Sequence, residues 1–243
     1  MTENKLRKYL FYAMGEIVLV VLGILIALQI NNWNEDKKKE KQANIYLSDL
    51  KSDLNYDIKT LNERILVNID RINQIDSIFY TLATKKDLSK EELLEFDDRH
   101  YILTTESYFI PEKSTISQIK ASSQGGLIQN KNLRDMMFRY YSVNDRNEKN
   151  GEVSLQLYQH NFFSYNIGGT ALIGGEYFEK LLGNSLNRPY TDYSSLSQNS
   201  VYIGNLVFKK ENTKTQNTKY EEIRTLAENL LQLIEDELQK GEK

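Results

Sequence analysis

Apolar residues run almost unbroken from Ile17 to Leu28, and in the wider stretch Tyr9 to Ile30 the strongly polar members are Glu16 and Gln29. A helix of about 22 residues is about 33 Å long at 1.5 Å per residue, which matches the hydrocarbon core of a bilayer. The pattern predicts a transmembrane helix over residues 9–30, a short tail over 1–8 and an extramembrane domain over 31–243. Past the span, Leu47, Leu50, Leu54, Ile58, Leu61, Ile65, Ile69, Ile72, Ile75, Phe79 and Leu82 recur at steps of three and four, the spacing of a long amphipathic helix. Gly and Pro are absent between Gly23 and Pro111, so span and amphipathic helix are expected to join as one rod, with Asn31–Asn34 the place for a bend.

Later segments supply further apolar faces, which favours a bundle over a coiled-coil seam. Ser89 with Glu92 forms a capping-box pattern for a short helix whose acidic run reads as a solvated face. Pro111 breaks the chain, Thr115 with Gln118 is expected to open another short helix, and Gly125 and Gly126 fit a left-handed stop. Asn130 fits the N-cap of a helix carrying Leu133, Met136, Met137, Tyr140, Tyr141 and Val143, with an interruption expected in the polar patch "NDRNEKNG". A second apolar stretch holds Val153, Leu157, Phe162 and Ile167, and its rings from Tyr158 to Tyr165 read as core residues rather than a ligand cage. The Gly-rich "IGGTALIGG" lacks the GK[ST] of a phosphate loop and reads as a hinge, residues 183–198 as surface loop, and "VYIGNLVF" as extended or short helical packing. Tyr220, Ile223, Ala227, Leu230, Ile234 and Leu238 predict a closing amphipathic helix. The fold class that follows is all-α: a transmembrane helix continuing into a long amphipathic helix, then an extramembrane helical bundle.

Glu16 is the anomaly in the span. Ten Ile, Val and Leu between Ile17 and Leu28 favour insertion by about 3 to 6 kcal/mol against about 3 for one acid, so the helix still inserts. Helical steps from Glu16 bring Val20, Gly23 and Ala27 onto nearly the same face, and Gly23 with Ala27 is a small-xxx-small pair that permits close helix approach. These four residues are the candidate transmembrane contact, and Tyr9, Tyr12 and Trp33 the candidate interface anchors. Lys5, Arg7 and Lys8 precede the span while Lys37, Lys38, Lys39 and Lys41 follow it. Translocating a short cationic tail is unfavourable, so the N-terminus is expected inside and the domain outside the cytoplasm. The basic start and apolar run also fit a signal peptide, but "ALQINNW" offers no small-x-small cleavage site.

The balance of 31 Lys and Arg against 34 Asp and Glu creates no field that would concentrate nucleic acid. Without cysteine there are no disulfides, thiol catalysis or thiolate metal sites. His100 and His160 fall in separate segments, and nucleophile elbow, zinc motif and nucleotide loop are missing, so no catalytic residue, cofactor or metal is assigned.

The stretch "KYLFYAMGEIVLVVLGILIALQINNWNE" resembles the anchor of an uncharacterised family of single-pass membrane proteins from Bacteroidetes-type bacteria, and "STISQIKASSQGGLIQNKNLRDMMFRYY" is similar to that family's helix, Gly-containing turn and helix pattern. The resemblance implies an inner-membrane protein with a periplasmic helical domain, and it brings no catalytic residues. The expected role is a non-enzymatic scaffold or interaction protein that oligomerises through its span, its partners being the lipid bilayer and further copies or another membrane protein. Two alternatives stand beside it: a subunit of a transport or energy-coupling complex in which Glu16 handles a proton, and a ligand-binding sensory module acting through a partner.

Overall fold

The computed structural model describes residues 3–89, 91–93, 95–96, 99, 108–121, 124–164 and 193–241, and every regular element among them is helical. Helix α1 (Glu3–Thr84) is 82 residues long, about 120 Å of rod. It passes through Asn31–Asn34 as continuous helix, with no break in the helical run. Local pairs support the polar stretch after the apolar part of α1: Asn31 Nδ2 donates to Glu35 Oε1 at 3.2 Å, and Lys37 pairs with Glu40 at 2.9 Å. Such i to i+3 and i+4 pairs are what a helix polar on all sides relies on.

The chain then folds back. Helix α2 (Ser114–Ala121) lies against α1 and leads through a 3-10 turn (Gln124–Leu127) to α3 (Lys131–Ser164). A six-residue helix, α4 (Tyr193–Gln198), precedes α5 (Ser200–Gly241), which runs antiparallel to α1 along most of the domain. Cross-links fix that pairing: Lys51 to Glu235 at 2.7 Å, Arg224 Nη1 to Asn62 Oδ1 at 2.8 Å, and Lys210 with Asp76. Helix α3 packs chiefly on α5 and reaches α1 through long side chains such as Tyr140.

Several ends follow the sequence logic. Ser89 and Glu92 make the reciprocal capping box, with the Ser89 amide donating to Glu92 at 2.9 Å and the Glu92 amide to Ser89 Oγ at 3.3 Å. Asn130 caps α3 by accepting from the Leu133 amide at 3.3 Å. Other ends differ from expectation. Helix α2 starts at Ser114 with Thr115 buried inside it, and its N-terminal amides are taken by acids: Glu112 accepts from Ser114 at 3.1 Å and Asp53 of α1 from Thr115 at 3.4 Å. Gly126 sits in the 3-10 turn and is not left-handed. Helix α3 continues through "NDRNEKNG", and Gly151 within it serves close packing: a Cβ there would meet the Tyr108 ring at 2.8 Å. The closing helix begins twenty residues earlier than its apolar pattern announces, taking "VYIGNLVF" into its first turns, with Asn199 accepting from the Val201 and Tyr202 amides at 3.1 Å each. Within the region expected as surface loop, Tyr193 and Leu196 of α4 are buried. "IGGTALIGG" and His100 lie outside the described residues, as do the side chains of Tyr158 to Tyr165, including His160.

Two apolar cores result. The proximal one, nearer the apolar part of α1, gathers Leu47, Leu50, Leu54 and Leu61 of α1, Leu133, Met137 and Tyr140 of α3, and Tyr220, Ile223, Ala227 and Leu230 of α5. The distal one gathers Ile75, Ile78, Phe96, Tyr193, Leu196, Tyr202 and Leu206. Phe96 meets Tyr193 edge to face at 5.3 Å, and the Tyr193 hydroxyl lies 2.6 Å from the Thr81 carbonyl, which also accepts from the Lys85 amide at 3.0 Å where α1 ends.

Candidate functional site

The predicted contact residues all lie on α1 within its solvent-exposed part. From Tyr12 to Lys41 every side chain is exposed, and the apolar window of this helix is 0 % buried. Glu16, Val20, Gly23 and Ala27 fall within an arc of about 60° at 100° per residue. A Cβ placed on Gly23 would meet nothing within 4 Å, so the close approach this glycine permits is not used inside the monomer. Tyr12 and Trp33 flank the apolar stretch at 74 % and 64 % exposure. Tyr9 is helical, and its side chain lies outside the described ones. The structure therefore brings the four stripe residues onto one face and leaves that face open.

The domain holds polar groups that the sequence pattern did not reveal. Asp57 is fully buried and accepts from the Tyr140 hydroxyl at 2.7 Å and from the Glu112 amide at 2.9 Å, tying α1 to α3 and to the segment around Pro111. Burial pushes its carboxyl up to about 6, against the lowering effect of those two donors. Tyr140 is pushed up in turn, by burial first and then by the Asp57 charge. Asn144, one turn on, donates to the Tyr140 carbonyl at 2.9 Å. One signal was available: Asp57 falls between Leu54 and Leu61, at core spacing.

Between the two cores lies a polar layer. Asn68 Nδ2 donates to Gln216 Oε1 at 3.1 Å and Asn68 Oδ1 accepts from Arg71 at 2.6 Å, with Thr213 and Lys209 of α5 buried one and two turns further toward the distal core. Burial, and then the Arg71 guanidinium, bring Lys209 down to about 7. The apolar register expected through Ile69 and Ile72 is displaced here: Ile69 is 45 % exposed, and Asn68 and Arg71 take the inward positions. Helix α5 offers Gln216 at that height and the buried Thr213 one turn on, so an inward Ile69 would face polar groups.

A solvent-exposed apolar helix on a helical bundle defines the class: an all-α protein with one helix, among the described residues, long and apolar enough to cross a membrane. The chain belongs to a family of unknown function, DUF6090, whose model matches residues 16–168 and so takes in the stripe from Glu16, the polar stretch beyond the span and the bundle as far as α3. No curated protein and no solved structure matches the chain.

Proposed function

We propose that this protein is a membrane-anchored, non-enzymatic scaffold whose single span pairs with another transmembrane helix through Glu16, Val20, Gly23 and Ala27. The carrying observation is the unbroken α1: the helix that forms one wall of the bundle is also the apolar span, with no hinge between them. A rod of this kind holds the bundle at a fixed height and heading above the bilayer, which suits docking of partners or further copies. The cationic tail before the span supports an N-terminus inside and a bundle outside the cytoplasm, at a bacterial inner membrane. The acid on the same face as two small residues supports a protein-facing stripe, because a carboxyl group in hydrocarbon is stabilised by a partner.

Crosslinking of the full-length protein in native membranes tests the reading. Gly23→Leu is expected to lower the crosslinked oligomer at least fivefold while leaving the domain's helical signal unchanged. Equal crosslinking in wild type and variant removes the stripe from the account. Glu16→Gln keeps the shape and the hydrogen bond but loses the titratable proton, so it is expected to preserve assembly.

A further inference from the structure

Residues 109–115 cross the bundle as a strap pinned to all three long helices. The Phe109 amide donates to the Tyr220 hydroxyl of α5 at 3.0 Å, and the two rings meet edge to face at 6.3 Å. Lys113 reaches Asp145 and Glu148 of α3 at 3.0 and 2.8 Å. The remaining pins are acids of α1: Asp57 accepts from the Glu112 amide at 2.9 Å, while Asp53 accepts from the Thr115 amide at 3.4 Å and from the Ser114 hydroxyl at 3.5 Å. Both Asp53 contacts are at the long limit of a hydrogen bond, so the short bond at Asp57 holds the middle of the strap.

The junction under the strap gathers acids without a cation. Asp53 and Asp57 stand one turn apart on α1, and Glu112 folds back onto the Lys113 and Ser114 amides at 3.1 Å each. Lys113 is turned away to the acids of α3. From α3 the junction is faced by the Tyr140 hydroxyl, 2.7 Å from Asp57, and by Tyr141, whose buried hydroxyl has no hydrogen-bond partner and lies in the field of Asp53, Asp57 and Glu112. Among the described residues no charged group of α5 acts on Asp57. No group of three acids among them is disposed to hold a metal ion, which leaves a proton as the cation suited to this junction.

Burial pushes the Asp57 carboxyl up to about 6, with the Tyr140 and Glu112 donors opposing and the charges of Asp53 and Glu112 adding to the rise. A protonated carboxyl must donate as well as accept. The bond to Tyr140 can reverse its direction, and the Tyr141 hydroxyl is a further acceptor in the same field.

We propose that this junction is a proton-operated latch on the strap: with a proton on Asp57 residues 112–115 lie closed on α1, and with that proton released to water they lift and admit solvent to the carboxylate. No other bond is made or broken. Phe109, 1 % exposed and packed on Tyr220, keeps the start of the strap in place. Solvation sets the direction. Lifted, Asp57 ionises near its ordinary 3.8, and closed it ionises at about 6, so the lifted form gains about tenfold per pH unit between those values and levels off above them. The latch stands independently of the anchored reading above.

Hydrogen exchange of the full-length protein between pH 4 and 8, each rate divided by the intrinsic rate at that pH, tests the latch. The peptide holding the amides of Glu112 to Thr115 is expected to exchange about a hundredfold more readily at pH 7.5 than at pH 4, with the rise levelling off near pH 6. At each pH it is expected to run at least about tenfold ahead of the amides of Leu50 and Ile223, which open only with the core. Asp57→Asn is expected to remove the rise. Tyr140→Phe deletes a donor that favours the carboxylate and is expected to move the levelling-off upward by about one pH unit, which keeps the latch testable if Asp57→Asn folds poorly. A flat wild-type profile, a rise that persists in Asp57→Asn or stays in place in Tyr140→Phe, or strap and core amides exchanging together overturns the latch.

Discussion

From Ala43 to Ile65 the inward positions of α1 are apolar except for Asp57, whereas at Asn68 and Arg71 they turn polar before Ile75 and Ile78 restore the apolar face. The proximal core is therefore built from three long helices with one buried acid held by two donors. The distal core is smaller, draws on the short α4 and the segment around Phe96, and is set off by a layer containing Asn68, Arg71, Lys209 and Thr213. Apolar contact is indifferent to small rotations of a helix, but a hydrogen-bonded layer fixes which residue meets which. The layer holds the register of α1 on α5 in the middle of the bundle, and the proximal core carries most of the burial.

The largest effect that can break this comparison comes from cavities. Leu54→Ala is expected to lower stability by about 3 kcal/mol and to bring the whole domain's unfolding forward, because it empties space shared by α1, α3 and α5. Leu206→Ala removes as much side chain from a fully buried site, yet hydrogen exchange is expected to quicken at the distal end while amides around Leu54 stay protected. Exchange rising equally at both ends would show one cooperative core.

The proximal core and the polar layer should also answer to pH with opposite sign. Asp57 is raised from 3.8 to about 6 in the fold, so the folded state holds a proton the unfolded state has lost. Its contribution is complete below about pH 4 and is lost as pH rises through about 6. Lys209 is lowered from 10.5 to about 7, so between those values the unfolded state binds the extra proton and stability from this group rises with pH. Urea midpoints of the domain are expected to fall from pH 4 to 6.5 in wild type, by an amount on the order of 2 kcal/mol, and to stay flat over that range in Asp57→Asn. Lys209→Met is expected to abolish the rise between pH 7 and 10.

The smallest change sharpens the role of the polar layer. Asn68→Ala removes the acceptor for Arg71 and the donor to Gln216, and is expected to cost about 1 to 2 kcal/mol. Crosslinks between α1 and α5 engineered at the Lys51 and Glu235 level should keep their yield, while those at the Asp76 and Lys210 level should fall. Unchanged yields at both levels would mean that the layer does not set register.

Periodicity carried the long elements: the stripe from Leu47 to Ile65, the closing face from Tyr220 to Ile234 and the caps at Ser89 and Asn130 are local facts, written in neighbouring residues. What it could not carry depends on partners distant in the chain. Ile69 looked like core by spacing, and only Gln216 of α5 at the same height explains why Asn68 turned inward instead. Gly151 looked like a break, and it is the Tyr108 ring, forty-three residues away, that gives it a reason to sit in a helix. Helix α4 is too short for a period to show. Of the candidate site, the shared face of Glu16, Val20, Gly23 and Ala27 follows from the helix alone. The strap needed Tyr220, Asp57 and the acids of α3 to be placed beside residues 109–115.

The absence of a joint in α1 makes its residue count an angular setting. Adding one alanine among residues 34–39 would swing everything above by about 100° relative to Glu16, while adding seven would return it to within about 20° at a height about 10 Å greater. Length changes in this short stretch are therefore expected to keep the bundle's heading only in whole multiples of two turns, so that residue number in the stem sets the direction the bundle faces.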